Sequence, residues 1–171
     1  MVLLAGIVPD IDGLGLGVDL ITRHTAHPTD YWGDLHHVLG HNLCFGLVVA
    51  AVTFMLAQHH WRASMLALLS FHLHLLGDVL GGQGPDGDQW PIPYLAPFSQ
   101  SMQWVWSGQW QLNAWPNFVI TAVLLAVMFF IAWRRGISPL ECLSTRANDA
   151  LVGALRRRFG PPSEAAHGEC P

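Results

Sequence analysis

The side chains with which this chain could carry out chemistry fall into three short clusters of aspartate and histidine. The first, PDIDG, offers two carboxylates; the second, HHVLGHN, offers three imidazoles; the third, HLHLLGD, offers both types. Carboxylate oxygens and imidazole nitrogens together suit Zn²⁺, Mn²⁺ or Fe²⁺. The clusters therefore predict a site for one or two divalent ions, with these candidate ligands: Asp10, Asp12, His36, His37, His41, His74 and Asp78.

The spacing inside two clusters is the spacing by which a helix presents two ligands on one face. His74 and Asp78 are four residues apart, and side chains at i and i+4 are neighbours on a helix. His37 and His41 have the same separation. His36 precedes His41 by five residues, so it reaches the same site only from a loop before the helix. The spacing leaves open whether His36 or His37 is the ligand.

Three apolar stretches, at 42–58, 63–77 and 117–133, contain no Asp, Glu, Lys or Arg. Each is apolar around most of a helix circumference, which is typical of a helix surrounded by lipid. Only 12% of the residues are charged, against about 25% in an ordinary soluble protein. The sequence therefore predicts an all-α integral-membrane bundle of about three long helices, with the lipid bilayer as partner. Residues 1–8 are expected to be the end of a partial N-terminal helix.

Two regions between the apolar stretches are expected to be irregular. The first, 10–35, is rich in Gly, Asp and His. The second, 81–116, is rich in Gly, Pro and Trp, and Trp favours the membrane–water interface. This second region is predicted to be a loop along the membrane surface, with at most a short interfacial helix.

The order of the elements predicts that the three clusters meet. The second cluster opens one long helix and the third closes the next. In an antiparallel pair these two ends lie at the same level, and the N-terminal cluster falls on that side too. Ionisable groups inside apolar helices are costly, and they usually line a cavity or bind a ligand. Convergence around a cation is therefore the expected arrangement.

The C-terminal part is predicted to be a separate region, so that residues 1–137 form the membrane-embedded domain and 138–171 a cytoplasmic one. Residues 139–159 have apolar side chains at helical spacing and end in Arg156, Arg157 and Arg158, which favours an amphipathic helix on an anionic bilayer. Residues 160–171 are expected to be disordered. Basic residues gather after the third apolar stretch, which predicts that this end is cytoplasmic and that the metal site is external. The chain lacks a broad basic face for nucleic acid.

Four segments, PDID, HHVLGHN, HLHLLGD and QWPIPYLAPFS, are similar to motifs of the inner-membrane metal-dependent hydrolases, the family that includes a LexA-regulated member. The resemblance covers residues 3–98, with the motifs in the family's order. It implies a multi-pass protein of a bacterial inner membrane, and a metal set of Asp10, Asp12, His36, His41, His74 and Asp78. The chain departs from the motif at three positions: His37 where Arg is usual, Gly40 where Thr is usual, and Asn42 where Ser is usual.

The expected activity is hydrolysis by metal-activated water of a phosphoester, or of another ester or amide, in a small-molecule or lipid-linked substrate at the membrane surface. Three carboxylates are candidate general bases: Asp12, Asp86 and Asp88. The alternative is a metal-transport or metal-sensing protein with the same cluster. Its weakness is that the third apolar stretch has only Thr121 as an interior polar residue, which offers little of a path across a bilayer. A third interpretation of the chain is a structural membrane subunit whose histidines bind only each other.

Overall fold

The computed structural model describes residues 1–84 and 86–162, and this part of the chain is mostly helical. It divides into two compact units, unit 1 at residues 1–114 and unit 2 from Trp115 onward. The domain boundary after residue 137 stays a prediction. The helices are α1 (Val2–Ala5), α2 (Gly15–Thr22), α3 (Tyr31–Leu35), α4 (Leu43–Leu56), α5 (His60–Gly81), α6 (Trp115–Arg135) and α7 (Thr145–Phe159).

The helices α4 and α5 form an antiparallel hairpin that organises unit 1. Asn42 begins α4 as its N-cap, and its side-chain oxygen accepts a hydrogen bond from the backbone N–H of Phe45 at 2.9 Å. Ser64 of α5 donates a hydrogen bond to the carbonyl of Ala50 at 2.8 Å. Gly46 lets the helices approach closely, because a Cβ atom there would lie 2.8 Å from the ring of Phe71. The hairpin therefore brings the start of α4 beside the last turns of α5.

The loop that follows α5 packs onto the hairpin. Its two short strands, β1 (Ile92–Pro93) and β2 (Gln103–Trp104), pair in antiparallel fashion. Ile92 is fully buried with Phe71 and Leu75, and Tyr94 and Trp104 pack against this cluster. The region predicted to lie along the membrane surface thus supplies part of the core of unit 1.

The N-terminal segment packs against α5. Gly6 follows α1 and approaches Ser70 so closely that a Cβ atom would lie 2.7 Å from the serine hydroxyl. A 3₁₀ helix at Val8–Leu14 then carries the first aspartate cluster. The prediction of an irregular 10–35 region is wrong, since this region contains the 3₁₀ helix, α2 and α3.

Two of the described helices, α5 with 22 residues and α6 with 21 residues, are long and apolar enough to cross a membrane. The remaining predicted span, the stretch 42–58, corresponds to α4, which is apolar but has 14 residues. Fourteen helical residues rise about 21 Å, which is less than the ~30 Å hydrocarbon core of a bilayer. Most of the surface of α6 is exposed within the chain.

Unit 2 consists of α6, a 3₁₀ turn at Pro139–Cys142 and α7. The turn is held by Asn148, whose side-chain oxygen accepts hydrogen bonds from the backbone N–H and the hydroxyl of Ser138 at 2.8 and 2.9 Å. Trp133 donates its indole N–H to the carbonyl of Gly160 at 2.7 Å, so α7 lies against the end of α6. The predicted helix over 139–159 is shorter, because Ser144 caps it and Thr145 begins it. The predicted disordered tail lies, from residue 163 onward, outside the described residues.

Candidate metal centre

Four side-chain atoms from three parts of unit 1 converge at the open end of the hairpin. Nε2 of His74 lies 3.2 Å from Oδ2 of Asp78, one turn further along α5, and 3.3 Å from Oδ1 of Asp10. Nε2 of His41 lies 3.4 Å from the same oxygen of Asp78 and 3.8 Å from that of Asp10. Each of the two imidazole nitrogens therefore lies close to both carboxylate oxygens.

The chemistry and spacing of these atoms fit a divalent ion. Nε2 of His41, Nε2 of His74 and Oδ2 of Asp78 are buried and, among the described residues, have no hydrogen-bond partner. Unpaired buried polar atoms are costly and need an explanation. Ligand atoms bound about 2.0–2.2 Å from one ion are about 3.0–3.5 Å apart by geometry, close to the separations seen here. These residues are thus positioned to hold a metal ion.

Asp12 lies behind the converging atoms and supports them. Its carboxylate accepts hydrogen bonds from Nδ1 of His36 at 2.9 Å, from Nδ1 of His41 at 3.1 Å and from the backbone N–H of Gly40 at 2.8 Å. A carboxylate that binds Nδ1–H fixes the histidine tautomer and leaves Nε2 free for a metal. The structure therefore places Asp12 and His36 in supporting positions, although both were candidate ligands from the sequence.

The electrostatics of the site favour positive charge at its centre. Burial alone would lower the pKa of His41, but the carboxylates of Asp12 and Asp78 raise it to about 9. Burial would raise the pKa of Asp12, yet its hydrogen bonds from His36, His41 and Gly40 hold that pKa well below the usual value. Since neighbouring carboxylates stabilise a cationic imidazole here, the same carboxylates would stabilise a metal cation.

His37 lies beside the centre in a strained backbone conformation. One of its ring nitrogens, one ring nitrogen of His41 and one oxygen of Asp78 form a second group of three atoms within 4.8 Å of one another. The φ angle of His37 is 67°, in the left-handed region that costs a residue with a side chain about 1–2 kcal/mol. Its burial lowers the pKa of its imidazole to about 4. Strain of this kind is concentrated at functional sites.

The segment 36–42 is not helical, so the prediction that His37 and His41 share a helix face is wrong. The helix α4 begins only at Leu43, and the histidines precede it in a series of turns. Gly40 has a steric reason to be glycine, because a Cβ atom there would lie 2.2 Å from the carbonyl oxygen of Pro9. The sequence did contain a signal for this boundary: Asn42 directly before an apolar run is a typical N-cap.

A cavity of about 430 Å³ opens beside the converging atoms. Asp10 and Asp78 line it, together with His36 and His37. The side chain of Asp10 is 54% exposed, whereas His41 is fully buried. The site is therefore closed on the side of His41 and accessible to a small molecule on the side of Asp10.

Asp86 and Asp88, the other two candidate general bases, lie in the loop after α5. Both are exposed in the turn around Gly87, which has a φ angle of 84°. Neither is among the described residues that line the cavity. The structure therefore leaves Asp86 and Asp88 apart from the residues that it brings together.

These features define a mostly helical protein with apolar, membrane-length helices and a histidine–aspartate centre placed to hold a metal ion. Comparison with family models, curated proteins and solved structures found no match to the chain. The similarity of its motifs to those of the inner-membrane metal-dependent hydrolases stays a hypothesis.

Proposed function

We propose that this protein is a membrane-bound metal-dependent hydrolase. The observation that carries the proposal is the convergence of four ligand-type atoms beside an accessible cavity. A structural metal site has its coordination completed by the protein, whereas a catalytic one keeps a position open to water or substrate. The exposure of Asp10 on the cavity side fits the second kind of site.

The roles of the residues follow from their positions. Asp10, His41, His74 and Asp78 would hold the ion, and Asp12 would orient His41 through its Nδ1–H. A divalent ion in this position supplies Lewis acidity, which polarises the scissile group and makes hydroxide available near neutral pH. Asp12 is a poor general base, because three donors already engage its carboxylate. His37 is better placed to accept a proton, since it lines the cavity.

The purified protein is expected to hydrolyse at least one of three substrates: 4-nitrophenyl butyrate, 4-nitrophenyl phosphate or bis(4-nitrophenyl) phosphate. The chelator EDTA should abolish the activity, and added Zn²⁺ or Mn²⁺ should restore it. The variants His74→Ala and Asp10→Ala should each lower kcat/KM by about 100-fold or more, because a removed ligand disturbs the ion on which the chemistry depends.

His59→Ala is the matched control for this experiment, since His59 is exposed at the opposite end of α5. It should keep the activity of the unmodified protein. Activity that survives equally in His74→Ala and Asp10→Ala would place the chemistry elsewhere. Tight metal binding without hydrolysis of any of the three substrates would instead favour a metal-transport or metal-sensing protein.

The second part of the proposal concerns the membrane. The lengths and composition of α5 and α6 support two crossings. Arg134 and Arg135 end α6, which favours a cytoplasmic location for that end and for α7. Counted back from that end, the crossings by α6 and α5 then put the last turn of α5, and with it the metal centre, on the external side of the inner membrane. A substrate there would come from the membrane surface.

Labelling of single cysteines with a membrane-impermeant maleimide on intact cells tests this topology. A variant that keeps only Cys142, with Cys44 and Cys170 changed to serine, should remain unlabelled until the cells are opened. Ser101→Cys in a cysteine-free background should be labelled on intact cells, because Ser101 is exposed in the loop after α5. The reverse pattern would overturn the proposed orientation, and release of the protein by alkaline carbonate would overturn its membrane insertion.

A further inference from the structure

We infer that the substrate of this site is an apolar, uncharged carboxylic ester or amide, and not a phosphomonoester. The inference rests on the proposed hydrolase function and narrows it. It follows from two features of the cavity beside the metal centre, namely the side chains of its walls and the absence of basic partners among the described lining residues.

The walls of the cavity are apolar and aromatic. Leu14, Trp32, Trp90 and Leu112 line it. Trp32 is stacked on His36 with ring centroids 3.9 Å apart, and Trp90 meets Trp32 edge-on at 6.2 Å. Leu14 remains 71% exposed at the entrance. Such walls bind an acyl chain or an aromatic ring, and the few polar groups orient the bond that reacts.

The charges around the cavity disfavour an anionic substrate. Residues 1–114 contain eight aspartates and only two basic residues, Arg23 and Arg62. Arg23 is exposed and donates a hydrogen bond to His24, and Arg62 lies near the start of α5, far from Asp78. No Lys or Arg is among the described residues that line the cavity.

The charge balance of the loaded site leads to the same conclusion. A divalent ion held by the carboxylates of Asp10 and Asp78 and two neutral imidazoles has no net charge. A phosphomonoester is a dianion near neutral pH, and it would enter this cavity without an arginine or lysine to pair with it. An uncharged ester avoids that cost. Binding of such an ester requires only that its carbonyl oxygen be polarised and that its apolar group contact an apolar surface.

The reaction is a simple hydrolysis. The oxygen of water forms a bond to the acyl carbon, and the bond from that carbon to the alcohol oxygen or amine nitrogen breaks. One proton of the water goes to the departing oxygen or nitrogen. The products are a carboxylic acid and an alcohol or amine, and no oxidant or reductant takes part.

Kinetics with substrates that share one leaving group test the inference. The value of kcat/KM for 4-nitrophenyl butyrate should exceed that for 4-nitrophenyl phosphate by at least tenfold. Leu14→Lys places a cation at the entrance and should shift this ratio toward the phosphate, whereas Leu16→Lys, outside the lining, should not. Faster hydrolysis of the phosphate would overturn the inference while supporting the proposed function. No metal-dependent hydrolysis of any substrate would overturn both.

Ligand binding gives a readout that does not depend on turnover. In saturation-transfer NMR with metal-loaded protein, phenylacetamide should receive magnetisation and phenyl phosphate should receive much less. Trp90→Ala should abolish the phenylacetamide signal. Trp106→Ala, in the same loop but not among the lining residues, should keep it. Equal or stronger transfer to phenyl phosphate, or no transfer to either ligand, would overturn the inference.

Discussion

The variant His74→Ala is expected to lose its bound divalent ion, whereas the unmodified protein purified in mild detergent retains about one or two ions per chain. Nε2 of His74 lies within 3.3 Å of both converging carboxylates. Its removal therefore takes away a ligand atom that is close to both of them. We expect the metal affinity to fall by about 100-fold or more, above the range known for supporting residues. Metal content by mass spectrometry and chelator competition would measure this change.

The same helix offers two controls. His72 lies two residues before His74, but its Nε2 accepts a hydrogen bond from the hydroxyl of Tyr94 at 2.8 Å, away from the metal centre. His72→Asn and His59→Ala should therefore keep the full metal content. Asp78→Ala and His41→Ala should behave like His74→Ala. Full occupancy in both His74→Ala and Asp78→Ala would refute the metal centre described above.

The variant Asp12→Asn is expected to lower metal affinity by about 10- to 100-fold although Asp12 does not face the ion. Its carboxylate oxygens accept three hydrogen bonds, and an amide would turn a donor toward some of these N–H groups. His41 would then lose the acceptor that fixes its tautomer and ring orientation. Competition with a fluorescent zinc chelator would measure the change.

Asp34→Asn provides the comparison, since Asp34 is exposed on α3 and its replacement removes the same charge. It should leave metal affinity unchanged. Circular dichroism and gel filtration should show that the Asp12→Asn protein is folded, so that weaker binding is not the result of unfolding. Metal affinity equal to that of the unmodified protein would mean that Asp12 does not position His41.

Much of this arrangement can be predicted from the sequence, because it depends on regular elements. A charge-free apolar run predicts a helix, and the separation of His74 and Asp78 places both on one face of α5. The hairpin then puts the start of α4 beside the end of α5, as the order of the elements indicated. The histidine and aspartate groups that could hold a metal were found in this way.

The remaining parts depend on contacts that spacing does not encode. His37 and His41 have helical spacing, but the chain turns there because Gly40 passes closely over the carbonyl of Pro9 and Asn42 caps the next helix. Asp10 and Asp12 look equivalent in sequence. Their different roles arise because both belong to a 3₁₀ helix that points one carboxylate toward the cavity and buries the other against His36 and His41.

The N-terminal 3₁₀ helix contributes one of the four converging atoms, the carboxylate oxygen of Asp10, while the other three belong to the hairpin and the turns before it. An ion bound by all four would act as a cross-link between two segments that are separate in the chain. Docking of the N-terminus and uptake of the ion would then be one linked equilibrium. The native fold would gain about 2.7 kcal/mol at an ion concentration 100 times the Kd, so metal supply would govern how long the folded protein persists.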